Sequence, residues 1–339
     1  MNKGKLLLAI LLSNMLLSCN SNSNEVVVYT SVDQIFSEPI LKDFEKETGI
    51  KVKAVFDTEE TKSTGVLNRL IAEKDNPQCD LFWSGDPMRA IVLKQKGITS
   101  PYRSHVADDI NPVFKDPENH WTGFSARARV LIYNKKLLPE KDVPQSIFDL
   151  TKEKYKGKVV IANPLFGTTT FHFAALFTLL GDEKAKEFLA ALEKNKVVIA
   201  SSNGDVKKRV VQGEAVCGLT DTDDANEALK ERADIGIVFL DQKPLGLGSL
   251  IMPNTVCLIK NSHNAENAKR LFDYLISKET EAKLAQSCAQ MPLHKGVSVP
   301  VNVPSLDNII PMKIDYEKTA EKLNSIVKIL EQFSRYDKK

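Results

Sequence analysis

EVVVYTSVDQIFSEPILKDFEKETGIKVKAVF, residues 25–56, decides the fold. "EVVVYTS" (Glu25 to Ser31), with valine at 26, 27 and 28, reads as a buried strand. Pro39 to Glu47 has helical spacing and is closed by Gly49. "IKVKAVF" then alternates, with Ile50, Val52, Ala54 and Phe56 on one face. A strand, a helix and a second strand at this pitch imply a mostly parallel sheet and an α/β fold. The pattern continues outward. Val66, Leu67, Leu70 and Ile71 fall on one helical face, "CDLFWS" is another short strand, and a helix runs on to Gly97. After a Pro- and Asp-rich stretch a second series starts at "RARVLIYN". It proceeds through "KVVIANP", a helix from Thr169, "KVVIA", "AVCGLTD" and "IGIVFLD". "LIMPNTVCLIK" reads as a strand returning to the first series. Helices follow at Ala265 to Ser277 and, amphipathic, from Tyr316 to about Phe333.

The N-terminus sets the compartment. Lys3 and Lys5 precede an apolar run, Leu6 to Leu17, that is too short to span a bilayer and has the flanks of a secretory signal. It ends "LLSC", which resembles a bacterial lipobox and implies cleavage before a lipidated Cys19. Residues 1–18 are then the signal peptide and residues 19–24 a polar tether. The expected location is outside the cytoplasm, anchored by lipid to the cell membrane. Of 339 residues, 42% are hydrophobic and 27% charged. Removing Lys3 and Lys5 from 46 bases leaves 44 against 44 acids, so nothing draws the chain toward nucleic acid or anionic lipid. About 320 mature residues are more than one core usually serves, and two domains are expected. Cys79, Cys217, Cys257 and Cys288 are widely and irregularly spaced, which fits buried thiols as well as disulfides.

In open α/β sheets, ligands sit beyond the carboxyl ends of the strands, where helix N-termini converge. Those ends read Thr30–Ser31, Ser84–Gly85–Asp86, Asn163 with "FGTTT" (including Gly167, Thr168 and Thr169), Ser201 to Gly204 with Asn203, and Thr220 to Asp224. All are small, hydroxylated, amide-bearing or acidic. Singly each reads as a helix cap. Five along one edge suit a site that wraps a small polar ligand, with an oxyanion at positive helix ends.

"VVVYTS", "CDLFWSGDPMRAIVLKQKG", "WTGFSARARVLIYN", "GEAVCGL" and "CAQMPLH", in that order, resemble the solute-binding proteins of bacterial ABC importers, in the ferric-ion-binding branch. The resemblance covers nearly all of the mature chain. It implies a periplasmic-binding-protein-like α/β fold with two lobes, crossing hinge strands and a ligand cleft between them. The first lobe would hold residues 25–124 and 252–303, the second residues 125–251 and 304–339. It also implies permease and ATPase partners, no enzymatic activity, a monomer, and no cofactor beyond a metal ion carried with the ligand. In ferric binders a pair of adjacent tyrosines follows the strand after "GE", and counting from Gly213–Glu214 puts that pair at Asp223–Asp224 here. The familiar iron ligands are therefore replaced.

Asp221, Asp223 and Asp224 leave three readings open: helix capping, contact with a ligand's hydroxyl or amine, or a metal site, with Asp223 and Asp224 as the metal ligands. An EF-hand is excluded, because from Asp221 position six is Asn226 and position twelve Arg232. Three carboxylates need a facing cation. Arg127 and Arg129, two apart on one strand, share a face and are the candidates; the resemblance implies that Arg127 reaches the bound anion, which a guanidinium suits. Of the five histidines only His172 lies near the proposed edge. G-x-S-x-G, H-E-x-x-H, P-loop and dinucleotide motifs are absent.

Overall fold

The computed structural model describes residues 24–57 and 64–335. The signal sequence, Cys19 and the tether as far as Ser23 lie outside the described residues. Strand β1 (Glu25–Thr30) lies between two parallel neighbours, β2 (Lys51–Phe56) and β3 (Leu81–Ser84). Its valines follow from that position, since a central parallel strand is covered on both faces; Val26, Val28 and Tyr29 are all buried. At the end of the sheet, β2 exposes Lys51 and Lys53 and half-buries Val52 and Ala54 between them. Helix α1 spans Gln34–Thr48, so it starts ahead of the expected Pro39. A proline suits a helix's first turn because its missing N–H has no partner there. Pro39 instead sits inside the helix, beyond that turn. Helices α2 (Thr64–Ala72) and α3 (Pro87–Gln95) and the short strand β4 (Thr99–Ser100) complete the first series.

Strand β5 (Thr122–Asn134) is thirteen residues long and buried throughout. Its first half pairs antiparallel with β10 (Ile251–Ile259), which in turn pairs with β3 and β4. Its second half pairs antiparallel with β8 (Cys217–Asp221) and β9 (Ile235–Val238). Beyond β8 lie β6 (Val159–Ala162) and β7 (Val198–Ala200), both parallel to their neighbours. The strand order is β2-β1-β3-β10-β5-β8-β6-β7, a hydrogen-bonded path that passes from one half of the molecule to the other through β5. The expectation of a mostly parallel sheet is thus corrected to a mixed one. Each half has a parallel core, and the two strands that cross between halves run against it. The resulting architecture is the expected α/β fold in two lobes.

Helices α4 (Gly167–Leu180), α5 (Asp182–Lys194), α6 (Asn203–Gln212) and α7 (Thr222–Lys230) belong to the second series. Helices α8 (Ala265–Leu275) and α9 (Lys278–Cys288) follow β10. The C-terminal helix α10 (Tyr316–Ser334) packs on α4 and also on α3 of the first series. It therefore touches both halves. Phe333 meets Phe173 edge-on, and Tyr316 receives the rings of Trp121 and Phe171. The four cysteines are free and buried, and burial pushes the Cys217 and Cys288 thiols up to about 12.

One glycine allows the second lobe to deliver its site residues. A Cβ on Gly218 in β8 would meet the γ1 methyls of Val160 and Val206 at 2.6 Å and the Val160 carbonyl at 2.8 Å. Its absence lets α6 settle onto β8, which carries Asn203, the first residue of α6, to the strand ends. Gly218→Ala should destabilise the fold by about 1–3 kcal/mol through overpacking. The expected reading is a lower urea midpoint with an unchanged m value.

Candidate functional site

Asp221 ends β8 and occupies the N-cap of α7, yet its side chain makes no capping bond. The antiparallel register sets Arg129 directly across from it. Oδ1 accepts from Arg129 Nη1 at 2.7 Å, while Oδ2 accepts from the Thr168 hydroxyl at 2.7 Å and the Asn203 amide at 3.1 Å. Arg129 Nη1 also lies 3.1 Å from Asn203 Oδ1 and 3.3 Å from the Thr168 hydroxyl. Burial works against the charge on Asp221, but Arg129, Arg127 and the Thr168 hydroxyl hold its carboxyl below the usual range. These bonds join β5, α4, α6 and β8 through one carboxylate.

Arg127 projects from the same face of β5. Its Nη1 lies 3.3 Å from Asp223 Oδ2 and 3.7 Å from Asp221 Oδ2, and Nη2 donates to the Gly85 carbonyl. A Cβ on Gly85 would stand 3.1 Å from that nitrogen, so only glycine leaves the guanidinium its full room. The Gly85 N–H donates to Ser31 Oγ at 3.0 Å. Arg127 thus reaches from the crossing strand to both halves of the molecule at once. Burial opposes its charge, and the carboxylates of Asp223, Asp221 and Asp33 outweigh that and raise its pKa.

Arg127 forms part of the wall of a cavity of about 310 Å³ between the two sets of strand ends. Most of the residues named from the sequence meet there. Ser31, Gly85 and Asp86 line it from the first half; Gly167, Thr168, Thr169, Asn203, Asp221, Asp223 and Asp224 line it from the second. The first turns of α4, α6 and α7 all open onto this space, and backbone N–H groups at such ends favour anions. Capping and lining are not alternatives here. Asp86 Oδ1 caps α3 through the Arg89 N–H at 3.4 Å, and Asp223 Oδ1 accepts the Asp224 N–H at 3.1 Å, yet both acids face the cavity.

Thr30 and Ser84 are placed differently. Both are fully buried and absent from the wall, with their hydroxyls accepting from the backbone N–H of Val32 at 3.0 Å and Asp86 at 3.3 Å. They shape the turns that present Ser31 and Gly85. His172 is also off the wall; burial and the neighbouring Arg129 push its pKa down to about 3. Asp33, Ile35, Phe36 and Glu227 were missed and do line the cavity. Ile35 carried a signal: it is 73% exposed and outside the apolar stripe of α1, formed by Ile40, Leu41 and Phe44.

Oxygens of Asp221, Asp223 and Asp224 lie within 4.8 Å of one another, close enough to be tested as a metal site. The residues fit poorly. Asp221 is saturated, and the Arg127 guanidinium already stands against Asp221 and Asp223 as their cation. Tyr29 and Tyr133 give no phenolate pair; Tyr29 bonds Glu73 at 3.0 Å, Tyr133 is buried, and neither lines the cavity.

Asp221→Ala would strand buried Arg129, and loss of one partner of such a pair costs about 3–5 kcal/mol. The carboxyl's folded pKa lies below its unfolded value of about 3.9. Its contribution is therefore fully present above that pH and is lost as pH falls through the folded value. Urea unfolding should show the variant's full deficit at pH 7 and a shrinking deficit on acidification below pH 4.

The chain is 26% identical to iron uptake protein A1 of Synechocystis over 321 residues, covering 91% of this chain and 86% of that protein. The apo ferric ion-binding protein A of Pasteurella haemolytica superposes with a TM-score of 0.82 at 26% identity, covering 93% of this chain and 98% of the other. A periplasmic binding protein of Actinobacillus pleuropneumoniae, with fructose-6-phosphate bound, superposes with a TM-score of 0.79 at 23% identity, covering 91% and 98%. The family model for bacterial extracellular solute-binding proteins matches residues 76–319, and this chain belongs to that family.

Proposed function

We propose that this protein, held to the bacterial membrane by a lipid on Cys19, captures a small organic oxyanion between its lobes. As a monomer it would deliver that solute to the permease and ATPase subunits of an ABC importer. Members of this family are transport binding proteins, exported from the cytoplasm, that serve such importers. The observation that carries the choice of ligand is Arg127, the guanidinium in a wall whose other charged members, among the described residues, are carboxylates, facing three helix N-termini. Guanidinium and backbone N–H groups together suit a phosphate or carboxylate. The lobes, residues 25–124 with 252–303 and residues 125–251 with 304–339, would close by bending at β5 and β10.

The same wall limits the ligand's other end. Asp33, Asp86, Asp223, Asp224 and Glu227 face the cavity and would repel a bare dianion. The ligand therefore carries hydroxyl or amine donors opposite its oxyanion, and Ile35, Phe36 and Phe166 offer apolar surface to the carbon skeleton between them. A second reading, ferric iron or an iron–anion complex, is favoured by the carboxylate cluster and by the iron-binding relatives. Arg127 weighs against it, since a trivalent ion would have to share that space with a guanidinium.

Calorimetry with fructose-6-phosphate, inorganic phosphate, dicarboxylates and ferric citrate tests both readings. An organic oxyanion should bind, and Arg127→Ala should weaken it by at least ~10-fold, the loss of one charge-assisted bond of ~1.5–3 kcal/mol. Asp223→Asn should change which ligands are accepted. Equal affinity in Arg127→Ala and wild type would overturn the oxyanion reading. Ferric ion should produce no visible phenolate band; a strong band lost on mutating Tyr29 or Tyr133 would show that an iron site has been rebuilt elsewhere in the molecule.

A further inference from the structure

Strand β5 carries a bulge two residues before Arg127. Phe124 pairs with Asn254 and Ala126 with Pro253, so Ser125 has no counterpart across the ladder. Its φ of 42° lies in the left-handed region that serine seldom adopts. A bulge takes one residue's backbone groups out of the ladder and re-aims the residues beside it, and a strained residue persists only where its surroundings hold it. Here the Ser125 N–H donates to Glu281 Oε1 at 2.7 Å, and its carbonyl accepts from the Asn254 side chain at 2.7 Å. The next residue, Ala126, exchanges two backbone bonds of 2.7 Å with Met291.

Glu281, on α9, is fully buried. Besides Ser125 it accepts from the Leu293 N–H at 2.9 Å, the His294 N–H at 3.0 Å and His294 Nδ1 at 2.9 Å. On the far side of the ring, His294 Nε2 faces the Val106 carbonyl at 2.8 Å and Asp109 Oδ1 at 3.2 Å. These partners are all acceptors, so both ring nitrogens donate and the ring is an imidazolium. We infer that Glu281 and His294 are positioning residues for ligand capture: their charged pair, outside the cavity, fixes the Ser125 bulge and thereby aims Arg127 into the cleft. The inference rests on Arg127 being the cavity's cation, and it holds whatever the ligand is.

The arrangement is sensitive to pH. Burial opposes the charge on His294, while the bonds to Glu281 and the Val106 carbonyl and the field of Asp109 outweigh it and raise its pKa. Asp109 is itself paired with Lys278 at 2.9 Å. The imidazolium's contribution is complete below about pH 6.5 and is lost as pH rises through the folded value.

NMR on the purified, ligand-free protein tests the inference. Following the His294 ring resonance upward in pH, the Arg127 ¹³Cζ resonance should move in step, and protection factors of the Ser125 and Ala126 amides should fall at least tenfold. His294→Gln and Glu281→Gln should show the displaced Arg127 resonance at every pH. If the unfolding midpoint falls in His294→Gln while Arg127 keeps its wild-type resonance and no pH response, the pair only supports the fold and the inference is overturned. Should Glu281→Gln fail to fold, the wild-type titration and His294→Gln decide alone. Since no ligand is added, failure to bind oxyanions and failure of this coupling are separate results.

Discussion

The buried contact between Arg129 and Asp221 is the constraint on which the site depends. Two opposite charges, each 2% exposed at the side chain, meet at 2.7 Å because β5 and β8 pair in the one register that sets them across from each other. A slip of one residue would turn every side chain of β8 to the opposite face and leave a guanidinium and a carboxylate buried without partners. Such pairs add little net stability over an apolar contact, but breaking them is costly. Their consequence here is specificity of arrangement. Thr168 at the start of α4 and Asn203 at the start of α6 both bond to the same carboxylate, so three elements are indexed to one group.

That indexing separates two arginines that the strand pattern alone treats alike. Arg129 and Arg127 share a face, but Arg129 has its partners within the second lobe, whereas Arg127 stretches between Asp223 and the Gly85 carbonyl of the first. An arginine bound to both sides of a cleft senses their separation. Ile35, 73% exposed, lines the same cavity and offers it apolar surface.

Much of this was legible in the sequence, and the reasons are physical. Strand ends announce themselves because an apolar run must stop where backbone groups meet solvent or ligand, and Ser31, Gly85, Gly167 to Thr169, Asn203 and Asp221 to Asp224 all stood at such stops. The shared face of Arg127 and Arg129 follows from the period of a strand. What was not legible depends on register and on small backbone departures. Nothing local tells Asp221, which saturates its oxygens inside the lobe, from Asp223, which meets the crossing arginine. Thr30 and Ser84 have the right residue types at the right stops, yet one rotation of the chain turns their hydroxyls to backbone amides. Glu227 lies one helical turn past the acidic cluster and Asp33 at the start of a helix whose onset Pro39 disguised. The Ser125 bulge is invisible without knowing that Phe124 and Ala126 face consecutive residues of β10.

In the ferric binders that this chain resembles, adjacent tyrosines are expected where Asp223 and Asp224 stand. Two phenolates would need a hard trivalent cation to deprotonate and hold them; two aspartates are ionised already and demand a cation of any kind. Here that cation is covalently part of the chain. With Arg127 at 3.3 Å from Asp223 and Asp224 accepting the Thr220 hydroxyl at 2.9 Å, the acids are satisfied before any ligand arrives. Arg127 answers Asp223, while Asp33, Asp86, Asp224 and Glu227 also face the cavity. On the function proposed above, an oxyanion bearing its own donors would take the place of Asp223 at Arg127 and offer those donors to the carboxylates it frees.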